Sequence, residues 1–270
     1  GAALLAASYR QPVALGVLIA LAALTRGEAL VLLVLLAIPL FWRQWRPMLV
    51  TFAAFAVVLA PWTIRNLTTF DEPVLISNNS NGIWIGANCP ESYAGELKGY
   101  WRFQCYTDEG ERPGEDESEY FARQREIGLE YMADNADRLP GVMVARFLRL
   151  LDMWDVGQSE FINGAEGRPV WPTRLGIWGF WALLPLAIAG AVLQRRRRGP
   201  LLVLLAPVAM VVVVALATYG TTRFRFAAEP SVCVLAAIAL VAVFRTLMTQ
   251  FHVRSSRSPG TLVSPAAHGQ

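Results

Sequence analysis

The chain has 270 residues, a length that ordinarily holds one or two compact soluble domains. With 54% apolar side chains, only 17% charged ones and a mean hydropathy of +0.39, an ordinary soluble domain is excluded. The charges are also sorted: 19 of the 21 acidic residues lie between Arg65 and Pro172 against ten Lys/Arg, a net −9, which is the pattern of an integral membrane protein with an acidic external domain.

Six apolar runs follow one another: Pro12–Ala23, Ala29–Trp42, Met48–Trp62, Leu175–Leu193, Leu201–Thr218 and Ser231–Phe244. The first three fall short of the roughly 20 residues a helix needs to cross a hydrocarbon core, so they are expected to tilt, break or sit within a bundle. Taken as one helix, Pro12–Trp42 would reach roughly 46 Å. Thr25-Arg26-Gly27-Glu28, a T-x-x-E capping box before an apolar run, predicts instead two helices that meet at this point.

The connectors carry arginines without acids: Arg43 and Arg46, Arg195–Arg198, then Arg245, Arg254 and Arg257. The positive-inside rule assigns all three clusters to the cytoplasm, and parity then puts Arg65–Pro172 and Tyr219–Pro230 outside. The expected fold class is mainly α: a polytopic helical membrane protein of the cell membrane, with about six membrane helices, a mixed external domain and an interfacial helix. Its expected domains are membrane helices over 1–64, the external domain over 65–172, three C-terminal membrane helices over 173–248 and a disordered cytoplasmic tail over 249–270.

Within the external region, Val74–Ile76 and Ile83–Ile85 flank Asn79-Ser80-Asn81-Gly82 and predict a β-hairpin. Cys89 and Cys105 share an oxidising compartment in this topology and predict a disulfide. Asp108–Glu119 reads as a solvated loop, and Ser118–Arg138 as an amphipathic helix carrying Phe121, Ile127 and Tyr131. Val142–Trp154 sets Val144, Phe147, Leu148 and Leu151 on a wide apolar face, with Arg146 and Arg149 projecting elsewhere, as in a helix lying on the outer leaflet.

Residue types narrow the chemistry. Both histidines, His252 and His268, lie in the C-terminal tail, which argues against a Ser-His-Asp triad or a His-ligated zinc. Lys98 is the single lysine and no GxxxxGK occurs, so a Walker-type nucleotide site is excluded. No cofactor and no nucleic-acid partner are expected; a divalent metal stays open, although no metal ligand set is read here.

Two groups of residues stand out as candidates. Arg26 and Glu28 lie where the first two helices meet; Arg26 suits a lipid-linked phosphate, with Glu28 orienting it, against a plain cap and local ion pair. The connector Thr221–Pro230, if extended, directs Arg223 and Arg225 to one side and Phe224 and Phe226 to the other. That pattern is a two-arginine anion clamp, or else interfacial arginines meeting lipid headgroups. Glu229 favours the positive end of the last helix and Pro230 its first turn. Tyr100 and Trp101, inside the cysteine loop, offer faces for a sugar to stack on, against a purely structural loop.

Four segments together carry a resemblance: Gly16–Leu30 (GVLIALAALTRGEAL), Pro61–Asn66 (PWTIRN), Val74–Cys89 (VLISNNSNGIWIGANC) and Tyr219–Pro230 (YGTTRFRFAAEP). In their order and topology the chain resembles the C-terminal part of the GT-C-type, lipid-carrier-dependent membrane glycosyltransferases, which include protein O-mannosyltransferases and aminoarabinose lipid A transferases. The resemblance implies a polyprenyl-phosphate-linked sugar as donor and a glycan, lipid or protein as acceptor at the external membrane face. It assigns the donor phosphate to Arg26, Arg223 and Arg225, with Glu28, Glu229 and Arg65 in support. The catalytic carboxylate of that family lies in a first external loop, expected here upstream of Gly1, so the chain alone is expected to be inactive. A transporter or flippase of lipid-linked saccharide would need the same arginines without bond chemistry, and a structural membrane subunit would need neither.

Overall fold

A computed structural model of the chain describes residues 1–196 and 198–256. Among these residues there are helices and no strand. In chain order they are α1 (Ala2–Ser8), α2 (Pro12–Thr25), α3 (Gly27–Phe41), α4 (Trp45–Thr69), α5 (Asn79–Ala87), α6 (Pro90–Tyr93) and α7 (Phe103–Asp108). Then follow α8 (Glu117–Asp134), α9 (Leu139–Leu150), α10 (Val156–Ala165), α11 (Val170–Gln194), α12 (Arg198–Ala217), α13 (Thr222–Arg225) and α14 (Glu229–Ser256).

Among the described residues, four helices, α4, α11, α12 and α14, are long and apolar enough to cross a membrane. The expected six are thereby corrected to four. The 14 residues of α2 rise only about 21 Å, short of a hydrocarbon core of about 30 Å. α3 is interrupted: it opens with a 3-10 turn over Gly27–Ala29 and carries a π segment over Leu33–Ala37. The break between α2 and α3 falls where Thr25-Arg26-Gly27-Glu28 predicts it, with Arg26 extended at φ −147°. No capping box forms there, because the Thr25 hydroxyl donates back to the Ala22 carbonyl at 2.7 Å and Glu28 pairs with Arg26.

The first four helices and α12 share an apolar core that includes Leu15, Ile19, Leu36 and Ala215. α11 and α14 close against each other through Ala187, Val232, Leu235 and Ala236. At Gly190 the Leu235 carbonyl approaches so closely that a Cβ would overlap it. Large apolar side chains also point outward, among them Val57, Trp178, Ile188 and Leu240. Exposed apolar surface of this extent marks a protein that meets lipid.

The expected β-hairpin is overturned. Asn79–Ala87 is helical, and its buried positions Gly82, Ile85 and Gly86 recur at helical spacing, the first two against α8 and Gly86 against Trp101, rather than alternating. The β-branched residues around Asn-Gly gave the wrong period, and the domain over 65–172 that was expected to be mixed is all-helical. α8 keeps the predicted amphipathic helix, and its start is fixed by a capping box between Asp116 and Glu119.

α14 continues into the first part of the expected tail. The helix runs to Ser256, so residues 249–256 are helical. No Pro or Gly interrupts this stretch, and the Thr246 and Thr249 hydroxyls bond back to Ala242 and Arg245. The remainder of the expected tail, 257–270, lies outside the described residues.

Cys89 and Cys105 are bonded, closing a loop with a sequence separation of 16. In the chain-entropy account a loop of this size contributes about 3 kcal/mol. Replacing both cysteines by serine is expected to lower the denaturant midpoint of the polar region by the equivalent amount. An unchanged midpoint would show that the Ser92 bonds to Ala87 and Cys89 already hold the loop.

Candidate functional site

α9 frames the site, and its two arginines face inward beside Val142, Ala145 and Leu150. Val144 and Phe147 are exposed, while Arg146 and Arg149 are 1% and 5% exposed. The apolar face read from the sequence is therefore the outward one, and the arginines are structural clamps. Arg146 donates to the Leu216 carbonyl at 3.0 Å, at the C-terminal end of α12, and to Ala87 and Asn88 at 2.7 and 3.0 Å, at the end of α5. A cation at a helix C-terminus meets the carbonyls that the helix leaves unbonded. Arg149 donates to the carbonyls of Lys98 and Glu96 and to Gln158, each at 2.6 Å, between the rings of Tyr100 and Trp154. Burial pushes both guanidinium groups down to about 10, which leaves them charged at neutral pH.

Two glycines let the chain close on this helix. Gly99, at φ +79°, and Gly220 both lie against the backbone of α9, where any Cβ would overlap Ala145 or Arg146. The Gly220 amide bonds the Gly99 carbonyl at 2.8 Å. The cysteine-loop segment and the connector after α12 are thus fixed side by side.

The connector does not continue extended. Thr221 caps a helical turn, α13, and the expected geometry of two arginines on one side is corrected. In a helix successive side chains diverge by about 100°. Arg223 is exposed, Phe224 is buried in the apolar core, and Arg225 is buried elsewhere.

The three side chains border three different spaces. Phe224 helps to wall an apolar cavity of about 220 Å³ lined by Leu4, Ala22, Leu32, Met210 and Val211, with Arg26 and Glu28 also on its lining. Arg26 is half-exposed and donates to Glu28 at 2.8 Å. Arg223 borders a narrow cleft with Tyr100, Ser159 and Thr222, 3.5 Å from Glu166. Burial raises the pKa of the Tyr219 hydroxyl, against the charges of Arg223 and Arg26.

Arg225 is already engaged. Its Nη1 donates to Asp152 at 2.9 Å, its Nε to Glu229 at 3.2 Å, and its guanidinium lies 3.9 Å from the Phe180 ring centre. Glu229 opens α14 as its pattern predicts, and serves Arg225 as well as the helix end. Arg65 is partnered by Asn66 and by the rings of Trp62 and Phe70, away from this set. Of the two stacking candidates, Tyr100 borders the Arg223 cleft; Trp101 packs on Gly86 and beside Phe103 and Tyr106.

Asp152 is the site residue the sequence reading missed. It is 1% exposed, adopts a left-handed φ of +57°, and carries Oδ1 without a protein hydrogen bond. Burial raises its carboxyl pKa against the pull of Arg225. The available signal was a lone acid inside the apolar run Leu150–Trp154. Among the described residues, two groupings bring carboxylate or thiol groups close together. Cys89, Glu91 and Cys105 lie together, but the sulfurs are bonded to each other. Asp71, Asp116 and Glu119 also lie together, with oxygens of Asp116 and Glu119 taken by backbone amides at the start of α8. No protein-family model, curated protein or solved structure matches the chain.

Proposed function

We propose that the chain is the C-terminal portion of an integral membrane glycosyltransferase that moves a sugar from a polyprenyl-phosphate donor to an acceptor at the external membrane face. The observation that carries this reading is the cavity of about 220 Å³, walled mainly by apolar side chains with the Arg26–Glu28 ion pair on its lining. An amphiphile with an apolar chain and an anionic head matches that division. The cavity is smaller than the roughly 300–1,000 Å³ of typical ligand pockets, so it would take the first isoprene units and leave the rest to lipid. Arg26 would hold the phosphate, and Arg223, the other exposed arginine near Tyr219, would meet the charge that develops as the sugar leaves. Arg225 keeps a supporting role, because its donors are committed to Asp152 and Glu229.

A second reading, a transporter or flippase of lipid-linked saccharide, draws on one specific observation. Short, interrupted apolar helices meeting at a charged residue, as α2 and α3 do at Arg26, also occur where transporters hold their cargo. Kinetics on the complete protein separate the two. Under the transferase reading, Arg26→Ala and Arg223→Ala each lower donor-dependent kcat/KM roughly 10- to 100-fold, the worth of one charge-assisted hydrogen bond to phosphate. Lipid-linked sugar crossing vesicle membranes without any transfer product would favour the transporter.

A further inference from the structure

α11 and α14 run in the same direction. The Phe180 ring centre lies 3.9 Å from the Arg225 guanidinium, just ahead of α14, and further along both helices Gly190 meets Leu235. α11 then ends at Gln194, whereas α14 continues to Ser256. Where α11 gives out, a groove of about 550 Å³ opens along the flank of α14. Val234, Ile238 and Val241 wall it together with Leu193, and Gln194 and Arg245 are its polar lining. We propose that this groove binds an anionic phospholipid, with one acyl chain along Val234–Val241 and the phosphate on Arg245.

Length and spacing fit an acyl chain. Val234, Ile238, Val241 and Arg245 recur at helical spacing and form one stripe of α14. From Val234 to Arg245 the helix rises about 16 Å, close to the roughly 15 Å of hydrocarbon in one leaflet of a core about 30 Å thick. A lipid whose phosphate meets Arg245 therefore lays its chain over the apolar part of the same stripe. That part is open to a ligand, since Leu193, Val234 and Val241 are all about half exposed.

Charge selects the head. Among the described residues no side chain bonds Arg245; its carbonyl alone is engaged, by the Thr249 hydroxyl. Arg195 and Arg196 follow Gln194 directly and are exposed. From Gly167 to Gln270 the sole acid is Glu229, which opens the other end of α14 and pairs with Arg225. The groove therefore offers donors with no carboxylate to answer them, and a guanidinium meets a phosphate through two parallel hydrogen bonds. The same lack of acids disfavours a second copy of this helix as the occupant, because it would bring another Arg245 and nothing to neutralise either.

The test places the chain in phosphatidylcholine nanodiscs with a minor share of phosphatidylglycerol, extracts it into detergent and reads the retained lipid by native mass spectrometry. Phosphatidylglycerol is expected in excess over its share of the nanodisc. Arg245→Gln is expected to cut that retention about fivefold, the effect of one arginine at an anionic lipid surface. Val241→Trp fills the groove, leaves every charge in place and is expected to cut retention as well. Arg43→Gln, which removes an exposed arginine outside the groove, is expected to leave retention unchanged. Retention without headgroup preference, or equal losses in Arg43→Gln and Arg245→Gln, marks diffuse attraction and overturns the site. Full retention by a folded Val241→Trp variant also overturns it. Dimers that Val241→Trp dissolves, in place of bound lipid, assign the groove to a second copy and overturn it too. None of these outcomes depends on the transferase reading.

Discussion

Replacing Arg146 by methionine is expected to destabilise the polar region by about 3–5 kcal/mol, the range for breaking a buried charged hydrogen-bond network. The side chain is 1% exposed and fastens the end of α12 to the end of α5 through Leu216, Ala87 and Asn88. Methionine fills much of the space but strands the Leu216 carbonyl and leaves Ala87 and Asn88 with only the Ser92 and Tyr93 hydroxyls as donors. That loss is a large share of the roughly 5–15 kcal/mol that holds a typical domain together. Arg146→Lys should recover little, because one ammonium on a flexible stem does not reproduce the planar fork that spans two helix ends. The denaturant midpoint of the chain in detergent, followed by circular dichroism, measures both. A midpoint within experimental error of the parent's would contradict the clamp.

The second large effect is expected at Asp152. Asp152→Ala removes the closer partner of a guanidinium that is itself buried, leaving Glu229 as the remaining carboxylate. The expected cost is about 3 kcal/mol, the lower end for an uncompensated buried charge because Glu229 persists. The double variant Asp152→Leu/Arg225→Met removes both charges and is expected to regain most of that loss. A double-mutant cycle on thermal unfolding reads the coupling directly. Additive single effects would mean that the two residues stabilise the fold independently.

The legible parts of this protein were those written as long-range composition or as local breaks. Segregated acids and apolar runs gave a helical membrane protein, and Thr25-Arg26-Gly27-Glu28 gave the break between α2 and α3. Cys89 and Cys105 gave the disulfide. Where the sequence misled, tertiary contact had overridden a local signal. Ile83 and Ile85 argued for a strand, but glycines 82 and 86 let a helix press against α8 and Trp101. The spans of α2 and α3 depended on length alone, and length is what they lack.

The site was less legible because its decisive partners are far apart in the chain. Arg225 looked like a free clamp beside Arg223, yet its partner Asp152 lies 73 positions earlier. Arg146 and Arg149 were expected only to project away from an apolar face lying on the leaflet; Val144 and Phe147 of that face are exposed, and the arginines are buried against protein beside Val142, Ala145 and Leu150. Sequence periodicity detects the apolar face but not what covers the arginines.

The central claim, that the cavity at Arg26 takes an isoprenoid phosphate, is tested most directly by photo-crosslinking. A short polyprenyl phosphate carrying a diazirine near its phosphate end is bound to the chain in nanodiscs, irradiated, and its adducts mapped by mass spectrometry. The account predicts adducts concentrated in the Ala22–Leu32 and Met210–Val214 segments, competed by unlabelled polyprenyl phosphate and not by polyprenol, and lost in Arg26→Ala. Adducts spread over the outward faces of α4 and α14, or equal competition by polyprenol, would contradict it.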